Sequence, residues 1–133
     1  AFIVAAGDIA TDYDYAALAE QAQSLSASGG WAHLVMVANP TFHPQVDFRL
    51  VNGRIARRHA VCGEMLTYAS LAAFHLQLFA GLHADRAPLF PWMFEALDAG
   101  RVSGEKLVGR WANVGTLEEL ARAEDLFAAA GAA

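Results

Sequence analysis

Short apolar runs alternate with stretches of helical periodicity along this chain, and that alternation constrains the fold more than any other feature. Residues 2–6 form an uncharged apolar run that ends at a Gly-Asp pair, as in a strand buried on both faces. A second apolar run, 31–38, ends at an Asn-Pro pair. Further strands are predicted at 66–75 and 101–108, and helices at 15–26, 76–82, 88–99 and after Thr116. Strands alternating with helices predict a mostly parallel α/β sheet.

Local turn and cap residues support the same division. Either Asp12 or Asp14 can cap the first helix. Thr116 is a favourable N-cap for the last helix, and Glu119, three residues on, completes a capping box. The Asn-Gly pair at 52–53 predicts a hairpin within 47–55, which gives the sheet a mixed edge.

Composition excludes several classes of protein. The 133 residues are 56% hydrophobic and 17% charged, so the chain is not disordered, and they fit one domain or a part of one spanning 1–133. The apolar runs reach about seven residues, far short of the roughly 20 that cross a bilayer. A formal charge of −5 argues against nucleic-acid binding. The single Cys62 excludes an internal disulfide and a Cys-based zinc site, which favours a cytoplasmic location.

Asp8 is the most informative candidate for chemistry. In an open α/β sheet, ligands bind beyond the carboxyl ends of the strands, and Asp8 follows an apolar strand directly. Gly7 allows close approach of a ligand, and a carboxylate is a hard ligand suited to Mg²⁺. The alternative is that Asp8 simply caps the turn.

A second candidate has the same form. Asn113 follows a short apolar stretch and precedes Gly115 and a helix N-terminus, which favours anions. The alternative is a capped helix start with Trp111 in the core. The five histidines lack metal-ligand spacing, and His33 and His75 are predicted to be core groups.

Taken together, several segments resemble the sugar-1-phosphate nucleotidyltransferases, and most closely the bacterial N-acetylmuramate α-1-phosphate uridylyltransferases. They follow the family order over nearly the whole chain. The segments are Gly7-Asp8-Ile9, 11–14, 32–37 with Asn39-Pro40, 43–48, 66–68, His75, 78–82, 101–105 and 109–116.

The resemblance implies a GT-A-like, Rossmann-type fold of which only the C-terminal part is present. The N-terminal, nucleotide-binding half of such enzymes, with its Gly-rich loop, would be missing, so the chain alone would be inactive. It further implies transfer of a nucleoside monophosphate, UMP from UTP, to a sugar 1-phosphate with release of pyrophosphate. The implied partners are these two substrates, together with the missing half or a second copy of the chain, and no nucleic acid or membrane.

The resemblance also assigns roles to residues. Asp8 would be the catalytic metal ligand for Mg²⁺, Asn113 would stand where many members have a second Asp, and Gly7 would lie at the nucleotide. The sugar-binding positions would be Asn39, Gln45, Val46, Asp47 and Glu64.

Three departures from the family pattern leave an alternative open. Val46 and Ser70 stand where glycine is usual, and Asn113 brings no negative charge. A non-catalytic homologue that binds a sugar nucleotide, or serves as an interaction domain, would also fit these changes.

Overall fold

The computed structural model describes residues 1–43, 45–83 and 85–129, which form a mixed sheet with helices on both faces. The strands are β1 (Phe2–Ala5), β2 (Ile9–Thr11), β3 (Ala32–Val37), β4 (Phe48–Val51), β5 (Arg54–Arg57), β6 (Glu64–Phe74), β7 (Val102–Lys106) and β8 (Trp111–Asn113). The helices are α1 (Tyr15–Ser28), α2 (Leu89–Asp98) and α3 (Leu117–Ala128), with a 3₁₀ turn at Leu76–Phe79. None of the helices in these ranges is both long enough and apolar enough to cross a membrane.

Six strands form the main sheet in the order β1-β6-β3-β7-β5-β4, with a further pairing between β6 and β4. The predicted α/β class and the mixed sheet are confirmed, whereas the predicted preponderance of parallel pairs is not. Strands β1, β3, β7 and β4 run in one direction, but β6 lies antiparallel between β1 and β3. In this sheet only β3 and β7 are neighbours that pair in parallel. Alternating apolar segments predict strands and helices but do not reveal a long returning strand inserted between two others.

The two faces of the sheet carry separate cores. All six residues of β3 are buried, so this strand contributes to both. Leu34 and Met36 pack with α2 residues such as Met93 on one face, and Val35 packs with Leu18 of α1 on the other. Alternation of side chains along a strand explains how one apolar run supplies two cores.

Strand β1 does not have the two-sided burial that its sequence predicted. Phe2 and Ile3 are 39% and 43% exposed, and within the described ranges β1 pairs only with β6. The apolar run is therefore an edge strand, because no second strand among these residues covers its other side.

The predicted turns match the structure closely. Asn52 and Gly53 both have positive φ, 48° and 76°, as the tight hairpin between β4 and β5 requires. Gly29, at φ 69°, ends α1, and the N-cap of α1 is Asp14 rather than Asp12.

A bulge in β6 connects the sheet to the region of the candidate site. The pairing with β3 passes from Val35–Leu71 to Met36–Tyr68, so Ala69 and Ser70 are extra residues on β6. Their carbonyl oxygens accept hydrogen bonds from Trp111 Nε1, at 2.9 Å, and from the backbone N–H of Ala6, at 3.0 Å. One bulge therefore anchors both segments that carry the candidate residues.

Candidate functional site

Asp8 directly precedes β2 and Asn113 is the last residue of β8, and these two strands form a small antiparallel sheet. Ile9 pairs with Asn113, and the backbone N–H of Val114 donates to the carbonyl oxygen of Asp8 at 2.8 Å. Asp8 is exposed and Asn113 is half-buried. Residues 105 positions apart in sequence thus meet at one end of the fold, and neither three-residue strand was predicted from the sequence.

Gly115 provides the space between the polar side chains of this site. A Cβ placed on Gly115 would lie 3.4 Å from Asn113 Nδ2, 3.5 Å from Glu119 Oε2 and 3.9 Å from Asp8 Oδ2. Three polar side chains therefore surround a position that glycine leaves empty. Sequence reasoning placed Asp8 and Asn113 here but did not place Glu119.

Glu119 departs from the predicted capping box. Thr116 is the N-cap and its hydroxyl accepts from the backbone N–H of Glu119 at 3.2 Å, as predicted. The Glu119 carboxylate, however, accepts from Asn113 Nδ2 at 2.9 Å. Its side chain therefore bonds to the candidate site, and only the Thr116 half of the predicted capping box forms.

An ion pair lies at the end of the small sheet opposite Asn113. Asp12 accepts from both the backbone N–H and Nε of Arg110, each at 2.7 Å, and the Arg110 guanidinium stacks on Phe127 of α3. Hydrogen bonds from Arg110 hold the pKa of the Asp12 carboxyl below its ordinary value. The ion pair and the contact with Phe127 together connect β2, β8 and α3 around the site.

A cavity of about 420 Å³ opens beside Asn113. Its polar lining includes Asn113, Glu119, Lys106 and Arg122, while its apolar wall includes Phe42. A cavity of this size and mixed lining can take a small polar molecule.

The predicted sugar-binding residues are divided between different surroundings. Glu64 pairs with Lys106 Nζ at 2.5 Å, and Lys106 lines the cavity beside Asn113. Asn39 lies next to that cavity in sequence, with its Oδ1 accepting from the buried Thr67 hydroxyl at 2.5 Å.

Gln45, Val46 and Asp47 instead line a second cavity of about 340 Å³. Both Asp47 carboxylate oxygens are engaged within the protein, one with His43 Nε2 at 3.1 Å and the other with the backbone N–H of Tyr68 at 2.9 Å. Asp47 thus braces its loop, while Gln45 and Val46 remain on the cavity wall.

The two positions at which the resemblance predicts a glycine, Val46 and Ser70, differ in backbone conformation. Among the described residues other than glycine, only Asn52 and Ser70 have positive φ, and Ser70 lies at 60°. Ser70 therefore adopts a conformation suited to glycine, whereas Val46 does not. The predicted nucleotide-binding residue Gly7 is exposed, with open space on the side where a Cβ would stand.

Polar side chains centred on the buried His33 form a short chain across the sheet. His33 is buried, as predicted, and its Nδ1 lies 2.8 Å from Ser103 Oγ. Its Nε2 lies 3.7 Å from Glu105 Oε1, and that oxygen accepts from the Tyr13 hydroxyl. Burial lowers the pKa of His33, whereas burial and the hydrogen bond to Glu105 raise the pKa of Tyr13.

Comparison with known proteins adds a curated relative. No protein-family model matches the chain. The chain is 35% identical over 126 residues to an N-acetylmuramate alpha-1-phosphate uridylyltransferase from Neisseria meningitidis serogroup B (strain ATCC BAA-335 / MC58). The alignment covers 94% of this chain and 54% of that protein, so the chain spans about half the length of the curated relative it matches.

Solved structures share the fold at low sequence identity. A Bacillus anthracis protein named as a glucose-1-phosphate thymidylyltransferase, in complex with sucrose, superimposes with a TM-score of 0.68 at 14% identity, over 93% of this chain and 53% of that one. A UTP-bound UGPase from Acinetobacter baumannii gives a TM-score of 0.65 at 14% identity, over 92% and 48%. At such identities the likeness shows the fold alone.

Proposed function

We propose that this chain, a relative of the sugar-1-phosphate nucleotidyltransferases, is the cation- and sugar-phosphate-binding part of a cytoplasmic enzyme that transfers UMP from UTP to a sugar 1-phosphate. The observation that carries the proposal is the meeting of Asp8 and Asn113 at the paired ends of β2 and β8. The 35% identity with a uridylyltransferase supports the reaction type and the choice of UTP.

In the proposed reaction an oxygen of the sugar 1-phosphate attacks the α-phosphorus of UTP. A new P–O bond forms there as the bond to the bridging oxygen of the β-phosphate breaks, and pyrophosphate leaves with that electron pair. No electron is transferred to or from the protein. Catalysis of such a step rests on positioning and on charge stabilisation, so the essential contribution of this chain is to hold polar groups in fixed places.

The side chains of Asp8 and Asn113 carry oxygen atoms that suit Mg²⁺. Asp8 offers an exposed carboxylate and Asn113 a carbonyl oxygen, both hard ligands of the kind that Mg²⁺ takes, with water and substrate phosphates completing its shell. When bound, Mg²⁺ would offset the negative charge of the phosphates. Asp8 is the residue we expect to be indispensable, since it contributes a full negative charge.

We assign the sugar 1-phosphate to the cavity beside Asn113 and to the neighbouring loop that contains Gln45, Val46 and Asp47. Asn39 and Glu64 would support this region through Thr67 and Lys106, and Gln45 and Val46 would contact the sugar from the neighbouring cavity. Asp47 would act by holding that loop in place, because its two oxygens already have partners.

Gly7 would lie against the nucleotide phosphates, where the lack of a side chain allows close approach. The remaining contacts to UTP would come from a segment outside this chain, so we expect residues 1–133 alone to be inactive.

Specific observations favour a second candidate, a homologue that binds the sugar nucleotide without turning it over. Asn113 carries no charge, and Ser70 adopts a left-handed conformation in the β6 bulge, where its carbonyl oxygen holds Ala6. Weak cation binding at a neutral amide would slow phosphoryl chemistry while leaving ligand binding intact.

The two functions are separated by measuring pyrophosphate release on the full-length protein with Mg²⁺–UTP and N-acetylmuramate α-1-phosphate. We expect turnover that Asp8→Ala abolishes. Asp14→Ala is the matched control, because Asp14 is also an exposed aspartate but only caps α1, through the backbone N–H of Ala16. Calorimetric binding of both substrates without pyrophosphate release would instead favour the non-catalytic homologue.

A further inference from the structure

The neutral Asn113 has a charged neighbour in hydrogen-bond contact. Glu119 Oε2 accepts from Asn113 Nδ2 at 2.9 Å, and both atoms border the space beside Gly115 that Asp8 Oδ2 also borders. A carboxylate in this position supplies a negative charge close to the residue that lacks one.

The contact is specific to Glu119 rather than a general property of the acidic first turn of α3. Glu118, one residue earlier, directs its carboxylate to Arg122 on the same helix. Glu118 and Arg122 are largely exposed, whereas Glu119 is half-buried. Two adjacent glutamates with the same charge therefore have different contacts, and only one of them bonds to the site.

The hydrogen bond determines which way the Asn113 amide faces. An ionised carboxylate can only accept a hydrogen bond, so the amide nitrogen must be the atom that faces Glu119. The carbonyl oxygen Oδ1 is then turned away from Glu119 and is available as a ligand. Without this partner, the two ends of the amide could exchange places by rotation about the last side-chain bond.

We propose that Glu119 is a positioning residue that holds the Asn113 carbonyl oxygen toward a divalent cation and keeps a negative charge beside it. This inference rests on the proposed function, because it takes Asp8 and the Asn113 carbonyl oxygen as ligands of the cation. The pair offers what a single carboxylate would, namely an oxygen ligand in one orientation and a negative charge. Such supporting partners typically change metal affinity by about 10–100-fold.

Few ionisable side chains of the described residues meet at this position. Within the described parts of the chain, no cluster of three His, Cys, Asp or Glu side chains could hold a metal ion. Asp8 and Glu119 bring two carboxylates, one as ligand and one as support, and Mg²⁺ commonly uses only one or two.

The test is a titration of the full-length protein with Mn²⁺, with free Mn²⁺ followed by electron paramagnetic resonance and no nucleotide present. Glu119→Gln is expected to weaken binding about tenfold or more, because glutamine can donate as well as accept and no longer fixes the amide. Glu118→Gln removes the same charge from the same helical turn and should leave the affinity within about twofold, since the Glu118 charge is exposed and paired with Arg122 rather than with Asn113.

A double variant that exchanges the carboxylate and the amide between positions 113 and 119 is the most discriminating test of Mn²⁺ affinity. Asn113→Asp alone would set two carboxylates at hydrogen-bond distance. Asn113→Asp combined with Glu119→Gln restores one hydrogen bond, with its direction reversed, and keeps the total charge. We therefore expect the double variant to recover the Mn²⁺ affinity that Glu119→Gln loses. Circular dichroism of the metal-free proteins confirms that each variant is folded.

Equal affinity in Glu119→Gln and Glu118→Gln would overturn the positioning role, and so would a double variant no better than Glu119→Gln. Asp8→Ala separates this failure from that of the proposed function. If Asp8→Ala leaves Mn²⁺ binding unchanged, the cation site itself is wrong and both proposals fall.

Discussion

The six-stranded sheet and the small sheet of β2 and β8 are held together by different forces. Strand β3 is buried along its whole length and contributes to cores on both faces of the large sheet. The small sheet has two three-residue strands whose residues are at most half-buried. Its position depends on individual bonds, from Trp111 to the β6 bulge and from Arg110 to Asp12. Apolar burial thus builds the scaffold, whereas single polar contacts place the candidate site.

The largest expected effect comes from removing apolar volume from the large sheet. Leu34 is fully buried in β3, and Leu34→Ala should lower the free energy of unfolding by about 2–5 kcal/mol, since it leaves a cavity. Leu117→Ala makes the same change at a residue that is 86% exposed, and should alter stability by less than about 0.5 kcal/mol. Urea denaturation of both variants measures the difference. Similar losses of unfolding free energy in the two variants would contradict the conclusion that apolar burial stabilises the large sheet.

An intermediate effect is expected where the small sheet is attached to the bulge. Trp111→Phe removes the donor to the Ala69 carbonyl oxygen and leaves that oxygen without its partner, at a cost of about 1–2 kcal/mol. Because this bond places β8, backbone amides of β2 and β8 should exchange with solvent faster in the variant than in the unmodified protein, whereas those of β3 should not change. Hydrogen exchange followed by mass spectrometry measures this.

Trp92→Phe is the matched control for that variant. Trp92 lies in α2 against Phe79, on the opposite face of the sheet, so its replacement should leave exchange in β2 and β8 unchanged. If the backbone amides of β2 and β8 exchange at the same rate in Trp111→Phe and Trp92→Phe, then the bulge does not hold the small sheet in place.

The same contrast explains how much could be predicted from the sequence. Burial of apolar runs and turn chemistry are local, so β3, α1, the hairpin at Asn52-Gly53 and the N-cap Thr116 were all predicted correctly. The insertion of β6 between β1 and β3 was not, because strand order is a property of the whole chain.

The candidate site shows the same limit. Asp8 and Asn113 were predicted from their positions after apolar segments and before a turn or helix start. Their adjacency depends on pairing between three-residue strands that are too short to show periodicity. Glu119 was assigned to a capping box, since the spacing from Thr116 fits one, while its actual partner Asn113 became evident only in three dimensions.

The smallest expected effect lies at the junction of the two regions, and its sign is opposite to the others. Ser70 has a φ of 60°, a conformation that costs a residue with a side chain roughly 1–2 kcal/mol, whereas glycine adopts it readily. Ser70→Gly also gains disorder in the unfolded chain, which offsets part of this relief. The net result should be a stabilisation of about 0.5–1 kcal/mol, seen as a higher urea midpoint. Ser24→Gly makes the same change at an exposed position inside α1 and should destabilise instead, because glycine disfavours a helix. If both variants lose stability, then Ser70 is not strained, and the loss of a glycine at this bulge would not count in favour of a degraded site.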